Sequence, residues 1–393
     1  MDPKQKDTIL ITCSAGLVDY VRQEVEALGY QTGDYHKTGL EIQGDQYDAM
    51  QLNLHLRTAY NVLYQLKQFE CYSPDELYRN VKDLPWEDII SPDEYLSVVG
   101  RINTEHVKNS MYANLKVKDA IVDRIAEATG SRPDSGKDKD KAVVQFYWKD
   151  NFCRLYLNTS GQKLSDRGYR KMPHKAPLRE SLAAAIIMAT GYDGSTPLVC
   201  PMCGSGTLAI EAALIGSGRA PGLLRSNYGF MHLKYYDRQK WRQLRSEALK
   251  KSKTRGGKAG FKPARIIATD IDAGAVEASR KNAMTAGVSH LIDFDVCDFA
   301  ESAIPPEPGI IIMNPEYGLR LGEIEKLSIT YKRIGDFFKQ KCAGYTGYIF
   351  TGNPALSKKV GLRTSRRIEF YNGNIECRLL KYELYAGKKN KTI

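Results

Sequence analysis

The chain has 393 residues, a formal net charge of +11 at pH 7, 42% hydrophobic residues and 26% charged residues. This length predicts two or three domains, and the composition is that of a folded globular protein, which excludes fibrous and disordered classes. No apolar run is long enough to span a bilayer and no signal peptide is recognisable after Met1, so we expect a cytoplasmic protein without membrane contact.

The positive charge is compatible with a polyanionic partner, and equally with a basic protein that binds no nucleic acid. The eight cysteines lack the paired spacing of a disulfide framework, so we expect reduced thiols. Cys200 and Cys203 match C-x-x-C, but no second pair follows. The sequence therefore predicts no metal site.

In the first 70 residues the apolar pattern predicts strands at 8–12, 39–42 and 62–69, with helices at 17–28 and 47–59. This order is typical of a small α+β module. A Ser-Pro start at residue 73, with acids in the first turn, predicts the next helix. A strand at 95–102, a helix at 114–129 and a hairpin at 142–157 follow.

The region after the hairpin is rich in basic residues. Residues 164–177 are basic and contain prolines, as linkers do, and could also guide an RNA strand. A helix at 178–189 follows, and beyond residue 219 a long excursion carries a basic helix and then a loose tail at 251–262. That basic helix is either an RNA-facing surface or a solvated cover helix.

The most informative stretch, 198–209, runs from an apolar strand through Gly204-Ser205-Gly206 into an apolar helix. Glycines let backbone N–H groups approach a ligand, and the helix N-terminus adds positive potential. The spacing also fits the dinucleotide fingerprint. However, the acid that an NAD site needs about 20 residues later is absent, which disfavours a nucleotide-dependent oxidoreductase.

Three further strand-like runs end in polar residues. They stop at Asp270, at Asp298 and at Asn314-Pro315-Glu316-Tyr317. A strand at 345–351 and a hairpin around Asn372-Gly373 complete an α/β pattern of the doubly wound kind. Because ligands bind at the carboxyl ends of such strands, we expect the glycine turn, both acids and Asn314 to lie at one edge.

An Asn-Pro-x-Tyr sequence after a buried strand resembles the catalytic motif of S-adenosylmethionine-dependent methyltransferases that modify exocyclic amines. The resemblance implies a Rossmann-like methyltransferase domain, with a seven-stranded sheet and a C-terminal antiparallel hairpin, and S-adenosylmethionine as its cofactor. The residues expected to bind that cofactor are Cys203, Gly204, Ser205, Gly206, Thr207, Asp270, Ile271 and Asp298.

Each of these residues has an expected role. Residues 203–207 would wrap the methionine end, Asp270 would accept both ribose hydroxyls, Ile271 would pack on the adenine, and Asp298 would accept from the adenine amine. Asp272 is better explained as a helix cap.

The catalytic residues expected from the motif are Asn314, Pro315 and Tyr317. The lone pair of a purine amine is delocalised into the ring. The side-chain carbonyl of Asn314 and the backbone carbonyl of Pro315 can accept its two N–H groups and orient that lone pair. Tyr317 can stack on the base once it has left its helix or loop.

The N-terminal half carries a second resemblance, in the segments 12–17, 53–59, 73–78, 84–86 and 115–123. It resembles the bacterial 23S ribosomal RNA guanine-N2 methyltransferases, in the form without a second fused methyltransferase domain. This implies a ferredoxin-like segment at 1–70, an RNA-binding THUMP domain at 71–163, a linker at 164–177 and the catalytic domain at 178–387. The implied substrate is guanine N2 in 23S ribosomal RNA, naked or in a pre-ribosomal particle.

The sequence itself shows only exposed bases in this half, such as Lys108, Lys116, Lys118 and Arg124, and it leaves the oligomeric state open. An adenine-N6 methyltransferase acting on RNA or DNA is the alternative within the enzyme class, because the same motif serves either amine.

The chain departs from the family pattern at two positions. Glu316 stands where the family has a second proline, and Cys200 stands where it has an aspartate. The lost carboxylate could weaken cofactor binding, or a neighbouring acid such as Glu211 could compensate for it. If these departures have removed the activity, the chain is a non-catalytic RNA-binding or ribosome-assembly factor.

Overall fold

The structure is a computed structural model that describes residues 4–172, 178–253, 263–318 and 321–385. The strands are β1 (Asp7–Cys13), β2 (Thr32–His36), β3 (Gly39–Gly44), β4 (Ala59–Glu70), β5 (Leu96–Asn103), β6 (Ser135–Gly136), β7 (Ala142–Lys149), β8 (Phe152–Asn158), β9 (Leu198–Pro201), β10 (Ile266–Asp270), β11 (Ile292–Val296), β12 (Ile310–Met313), β13 (Thr346–Thr351), β14 (Arg366–Asn372) and β15 (Ile375–Glu383). The helices are α1 (Val18–Ala27), α2 (Gln46–His55), α3 (Pro74–Lys82), α4 (Ser110–Thr129), α5 (Glu180–Ala189), α6 (Thr207–Gly216), α7 (Arg238–Lys253), α8 (Ala273–Thr285), α9 (Leu321–Lys341) and α10 (Pro354–Lys359).

The chain divides into two compact units, of which the first comprises Met1–Ser14, Val21–Asp166 and Pro221–Ala248. Its eight strands form one sheet in the order β2-β3-β1-β4-β8-β7-β5-β6. The antiparallel pairing of β4 with β8 joins the first predicted module to the second in a continuous sheet. Strand β2 was not predicted, because four of its five residues are exposed and it therefore lacks the alternation of a half-buried strand.

The first unit also contains the excursion 221–248, which lies between α6 and β10 in the sequence. Trp241 is only 4% exposed and packs edge-on against Tyr228 and Phe230, with ring centroids 5.3 Å and 5.0 Å apart. The backbone N–H of Phe230 donates to the carbonyl oxygen of Thr159 at 3.0 Å. The excursion is thus built into this unit by aromatic packing and by backbone hydrogen bonds.

The second unit comprises Ala15–Tyr20, Arg167–Ala220 and Leu249–Ile393. Its seven-stranded sheet has the order β11-β10-β9-β12-β13-β15-β14. The first five strands are parallel, and β15 is antiparallel to both β13 and β14. The predicted Rossmann-like sheet with a C-terminal antiparallel hairpin is therefore confirmed.

Helices α5 and α6 are apolar on almost every face, and most of their residues are buried, as expected for helices inside a core. They pack against each other, and α6 also contacts β10 and α8. This burial fixes the N-terminus of α6, and with it the glycine turn.

Helices α9 and α10 were not predicted, and α9 fills the interval between β12 and β13. Parts of the predicted linker (173–177) and of the predicted tail (254–262) lie outside the described residues. Among the described helices, none has the length and apolarity that a bilayer crossing requires.

Candidate functional site

The carboxyl ends of four neighbouring strands define the candidate site. Strands β11, β10, β9 and β12 lie side by side, with Asp270 opposite Val296, Thr269 opposite Pro201, and Ile311 opposite Val199. Neighbouring strands are about 4.8 Å apart. This register places Asp298, Asp270, the glycine turn and Asn314 at the same edge of the sheet.

The glycine turn after β9 has a left-handed backbone at three residues. The φ angles are +62° at Met202, +55° at Gly204 and +84° at Gly206. A Cβ on Gly206 would lie 2.1 Å from Ser279 Oγ, whereas a Cβ on Gly204 would meet no atom within 4 Å. Glycine is thus required at position 206 because α8 leaves no room for a side chain. At position 204 there is room, and glycine is favoured by the left-handed backbone.

Asp270 fastens this turn to the end of β10. Its Oδ2 accepts a hydrogen bond from the backbone N–H of Gly204 at 2.9 Å, and its Oδ1 accepts from Asp272 N–H at 3.0 Å. A carboxylate has about four acceptor positions, so two remain for a ligand with two hydroxyls. Asp272 caps α8 by accepting from Gly274 N–H, as predicted.

The glycine turn, Asp270 and Asp298 form the side of the edge where the cofactor is expected, called the cofactor side below. Apolar and thiol groups also lie on this side. Ile271 is 73% exposed and Val296 is 49% exposed, and large apolar side chains left open in this way suit the face of a flat ring. Burial raises the pKa of the Cys203 thiol to about 12, so this thiol stays protonated at neutral pH and is a poor nucleophile. We therefore expect no covalent chemistry on Cys203.

Ser205 and Thr207 are each 5% exposed, so little of either residue is open to a ligand. Asn282 holds this part of the turn, because its Nδ2 donates to the carbonyl oxygen of Ser205 at 3.2 Å. The Oδ1 of the same side chain accepts from the N–H groups of Lys171 and Met172. Sequence reasoning missed Asn282, since its partners lie about 77 and 110 residues away.

Asp298 follows β11 and is held from two directions. Its Oδ1 accepts from Ala300 N–H at 2.9 Å and from the guanidinium of Arg333, on α9, at 2.8 Å. Burial raises the pKa of this carboxyl, but the hydrogen bond from Ala300 and the hydrogen bond and charge of Arg333 outweigh it and hold the pKa below its ordinary value. Asp298 is thus an ionised acceptor at neutral pH, and Arg333 is a second residue that the sequence pattern did not reveal.

Asn314 follows β12 and carries a buried polar group that the described part of the protein leaves without a partner. Its Oδ1 is buried, and no described residue donates a hydrogen bond to it. Pro315 is buried as well, whereas Glu316 is exposed. A buried carbonyl without a donor costs about 1–3 kcal/mol, and such a group calls for a functional explanation. A ligand amine that donates to Asn314 would remove this cost.

Tyr317 is fixed in place by two asparagines and a glycine. The Tyr317 hydroxyl accepts from Asn372 Nδ2 at 2.9 Å, and the Tyr317 carbonyl oxygen accepts from Asn353 Nδ2 at 3.1 Å. A Cβ on Gly352 would lie 3.2 Å from the Tyr317 ring. The orientation of the ring is therefore set by the protein before any ligand arrives.

The expectation that Glu211 compensates for Cys200 is wrong. Glu211 is fully buried and forms an ion pair with Arg167 at 2.8 Å, while it also accepts from the Tyr169 hydroxyl at 3.1 Å. Breaking such a buried pair would leave an uncompensated charge. Cys200 carries no carboxylate and is itself only 1% exposed. Neither position therefore offers a carboxylate to a ligand.

Comparison with family models assigns three segments of the chain. Residues 8–63 match the RlmL ferredoxin-like domain, residues 71–158 match the THUMP domain, and residues 167–381 match the RMKL-like methyltransferase domain. These matches confirm the ferredoxin-like, THUMP and methyltransferase domains that the resemblances implied.

Known proteins are similar over almost the whole chain. A putative RNA methyltransferase of Synechocystis sp. is 33% identical over 374 residues, which are 95% of this chain and 96% of the relative. The structure of a predicted N6-adenine-specific DNA methylase from Listeria monocytogenes has a TM-score of 0.84 and 29% identity, covering 98% of this chain and 97% of that one.

The structure of a putative methyltransferase, SMU.472, complexed with SAH has a TM-score of 0.84 and 25% identity, covering 98% of this chain and 100% of that one. The matched catalytic segment spans more than half of the 393 residues. Together with the carboxyl-edge geometry, these matches show that the chain belongs to the RMKL-like methyltransferase family.

Proposed function

We propose that this protein is an S-adenosylmethionine-dependent RNA methyltransferase that modifies the exocyclic N2 of a guanine in 23S ribosomal RNA. The observation that carries the proposal is the buried Oδ1 of Asn314, to which no described residue donates a hydrogen bond. Asn314 follows β12, the strand next to β9 and its glycine turn. In a methyltransferase, an acceptor without a donor at this edge suits an amine substrate.

When bound, S-adenosylmethionine supplies an electrophilic methyl group. Residues 203–207 would hold its methionine end, and Asp270 would accept the ribose hydroxyls with its two remaining acceptor positions. The exposed Ile271 would cover the adenine, and the ionised Asp298 would accept from the adenine amino group. The similar methyltransferase complexed with SAH supports this cofactor.

On the acceptor side, Asn314 and Pro315 would each accept one N–H of the substrate amine through a carbonyl oxygen. Two such bonds orient the nitrogen lone pair and stabilise the positive charge that develops on the amine during transfer. Tyr317, held by Asn353 and Asn372, would stack on the extruded base. Catalysis by these residues consists of orientation and electrostatics, with no covalent step on the protein.

RNA as the substrate is supported by the THUMP match and by the relative described as a putative RNA methyltransferase. Guanine N2 and 23S ribosomal RNA, naked or in a pre-ribosomal particle, come from the sequence resemblance. Such a substrate would place the enzyme in the cytoplasm.

The second candidate is an adenine-N6 methyltransferase. It is favoured by the similar structure described as a predicted N6-adenine-specific DNA methylase. The carbonyl oxygens of Asn314 and Pro315 can accept from either amine.

Methyl transfer to unmodified 23S ribosomal RNA transcripts and to DNA, followed by nucleoside mass spectrometry, tests the proposal. N2-methylguanosine in the RNA is the expected product, and the Asn314→Ala variant should yield almost none. A product methylated at adenine N6 would establish the second candidate instead. Absence of S-adenosylmethionine binding in calorimetry would indicate a non-catalytic RNA-binding factor.

A further inference from the structure

Most of the net charge of the protein is concentrated in one segment. Residues 221–262 contain twelve lysines and arginines against two acidic residues, whereas the whole chain has a net charge of +11. The rest of the sequence is therefore close to neutral. Such segregation of charge is an electrostatic signature of binding to a polyanion.

The basic residues of α4, which the sequence offered as RNA contacts, are locally neutralised. Lys116 pairs with Asp75 at 2.8 Å, and Lys118 pairs with Asp119 at 2.9 Å. Arg124 pairs with Glu87 at 2.6 Å, through two hydrogen bonds. Each exposed pair stabilises the fold little, but the neighbouring carboxylates reduce the attraction of this helix for phosphate.

Helix α7 divides its basic residues between two roles. Arg245 donates to the carbonyl oxygens of Gly222, Leu223 and Arg225, on the side where Trp241 is buried. These contacts anchor the helix to the first unit. Arg245 therefore has a structural role and is not available to a ligand.

Arg238 and Arg242 do not have this structural role. Both are exposed, and their spacing of four residues puts them on one face, about 6 Å apart along the helix axis. Neither forms an ion pair with a carboxylate in the described part of the chain. The half-buried Tyr236 lies within electrostatic reach of both guanidinium groups.

We infer that the α7 face carrying Arg238 and Arg242 is a surface that binds the phosphate groups of the substrate RNA. The inference rests on the proposed function for its choice of RNA as the polyanion. Guanidinium groups match phosphate with two parallel hydrogen bonds, and a helix anchored by Arg245 and Trp241 presents them without a large ordering cost. Because phosphate contacts carry no sequence information, this face would add affinity rather than choose the target base.

The test compares two double variants of the full-length protein. Arg238→Ala/Arg242→Ala removes from α7 two charges that have no carboxylate partner among the described residues, and Lys116→Ala/Lys118→Ala removes two paired charges from α4. Binding of an unmodified 23S ribosomal RNA transcript is measured by filter binding over a range of salt concentrations. Thermal unfolding and S-adenosylmethionine calorimetry check that both variants keep the wild-type fold and cofactor affinity.

The α7 variant should bind the transcript about 10- to 100-fold more weakly at low salt, and its slope of log K against log salt should be shallower by about 1.4 to 1.8. The α4 variant should stay within about threefold of the wild type. An α7 variant with wild-type affinity and slope would overturn the inference, as would an equal loss in both variants.

Failure of the proposed function has a different signature. If the wild-type protein binds the transcript but methylates no guanine N2, the proposed function falls, while a weaker α7 variant still supports this surface. If the wild-type protein does not bind RNA at all, both the proposed function and the α7 surface are contradicted.

Discussion

The two sides of the carboxyl edge differ in how their polar groups are satisfied. On the cofactor side, Asp270 is bonded to Gly204 and Asp272, and Asp298 is bonded to Ala300 and Arg333. On the acceptor side, the buried Oδ1 of Asn314 receives no hydrogen bond from any described residue. The carboxylates of the proposed cofactor side are therefore positioned by the protein, whereas we expect the proposed acceptor side to be completed by the substrate.

This difference predicts which substitutions should lower both stability and ligand binding, and which should lower activity alone. A group that already has protein partners stabilises the fold and also contributes to ligand binding. Its removal should therefore lower both the free energy of unfolding and the affinity for the ligand. A buried group without partners contributes nothing to the fold and exists at its expense.

Asn314→Ala should give the largest effect on activity, lowering kcat by about 100- to 1,000-fold because one of two orienting acceptors is lost. The free energy of unfolding should fall by less than about 1 kcal/mol or rise, because Oδ1 of Asn314 accepts no hydrogen bond from the described residues. Single-turnover methylation and chemical denaturation measure both quantities. Glu316→Gln, at an exposed neighbour, is the matched control, and an Asn314 variant with at least a third of wild-type kcat would contradict the assignment.

Asp270→Ala should raise the Kd for S-adenosylmethionine about 10- to 100-fold and also lower the free energy of unfolding by about 2 kcal/mol. Both changes have the same cause, since the carboxylate ties down the glycine turn and faces the cofactor side. Calorimetry and denaturation check them. Asp272→Ala, which removes a helix cap, should cost about 1 kcal/mol of stability with little change in Kd, and a similar Kd loss in both variants would argue against the ribose role.

Gly352→Ala should lower kcat about 3- to 10-fold without changing cofactor affinity. The new methyl group would lie 3.2 Å from the Tyr317 ring and 2.9 Å from Ile375, so the ring must shift by a few tenths of an ångström. Tyr317→Phe, which keeps the ring but loses the contact with Asn372, should be milder. Steady-state kinetics of both variants would contradict the stacking role if neither differed from the wild type.

The smallest effect concerns the dependence of stability on pH. The pKa of Asp298 is lowered in the folded protein, so its stabilising contribution is complete above the unfolded-state pKa and is lost as the pH falls through the folded-state pKa. Arg333→Met should bring the two pKa values closer and reduce the acid-side slope of stability. Denaturation between pH 2.5 and 5 measures this slope, and an unchanged slope would show that Arg333 does not act on Asp298.

The sequence predicted the parts of the site that are encoded locally. A strand that ends in a glycine turn, an acid or an Asn-Pro pair is visible in a few consecutive residues, so Gly204, Asp270 and Asn314 could be placed at one edge. The roles assigned to these residues remain proposals, and the Rossmann-like fold is confirmed.

The residues that sequence reasoning missed act across long separations. Arg333 is 35 residues from Asp298, and Asn372 is 55 residues from Tyr317, so neither belongs to a local pattern. The incorrect role for Glu211 has the same origin. Its position near Cys200 in the sequence said nothing about the buried Arg167 that neutralises it.

The contribution of residues 221–248 to the first unit also constrains how the chain is made. A ribosome releases the polypeptide from its N-terminus. The first unit therefore cannot be completed until residues up to 248 have been made, by which time synthesis has passed well into the second unit. Until then the positions of Trp241 and Phe230 in the first unit stay unfilled. Translation alone therefore cannot complete one unit before the other begins, and a nascent chain stalled near residue 200 would be a natural client for chaperones that shield apolar surface.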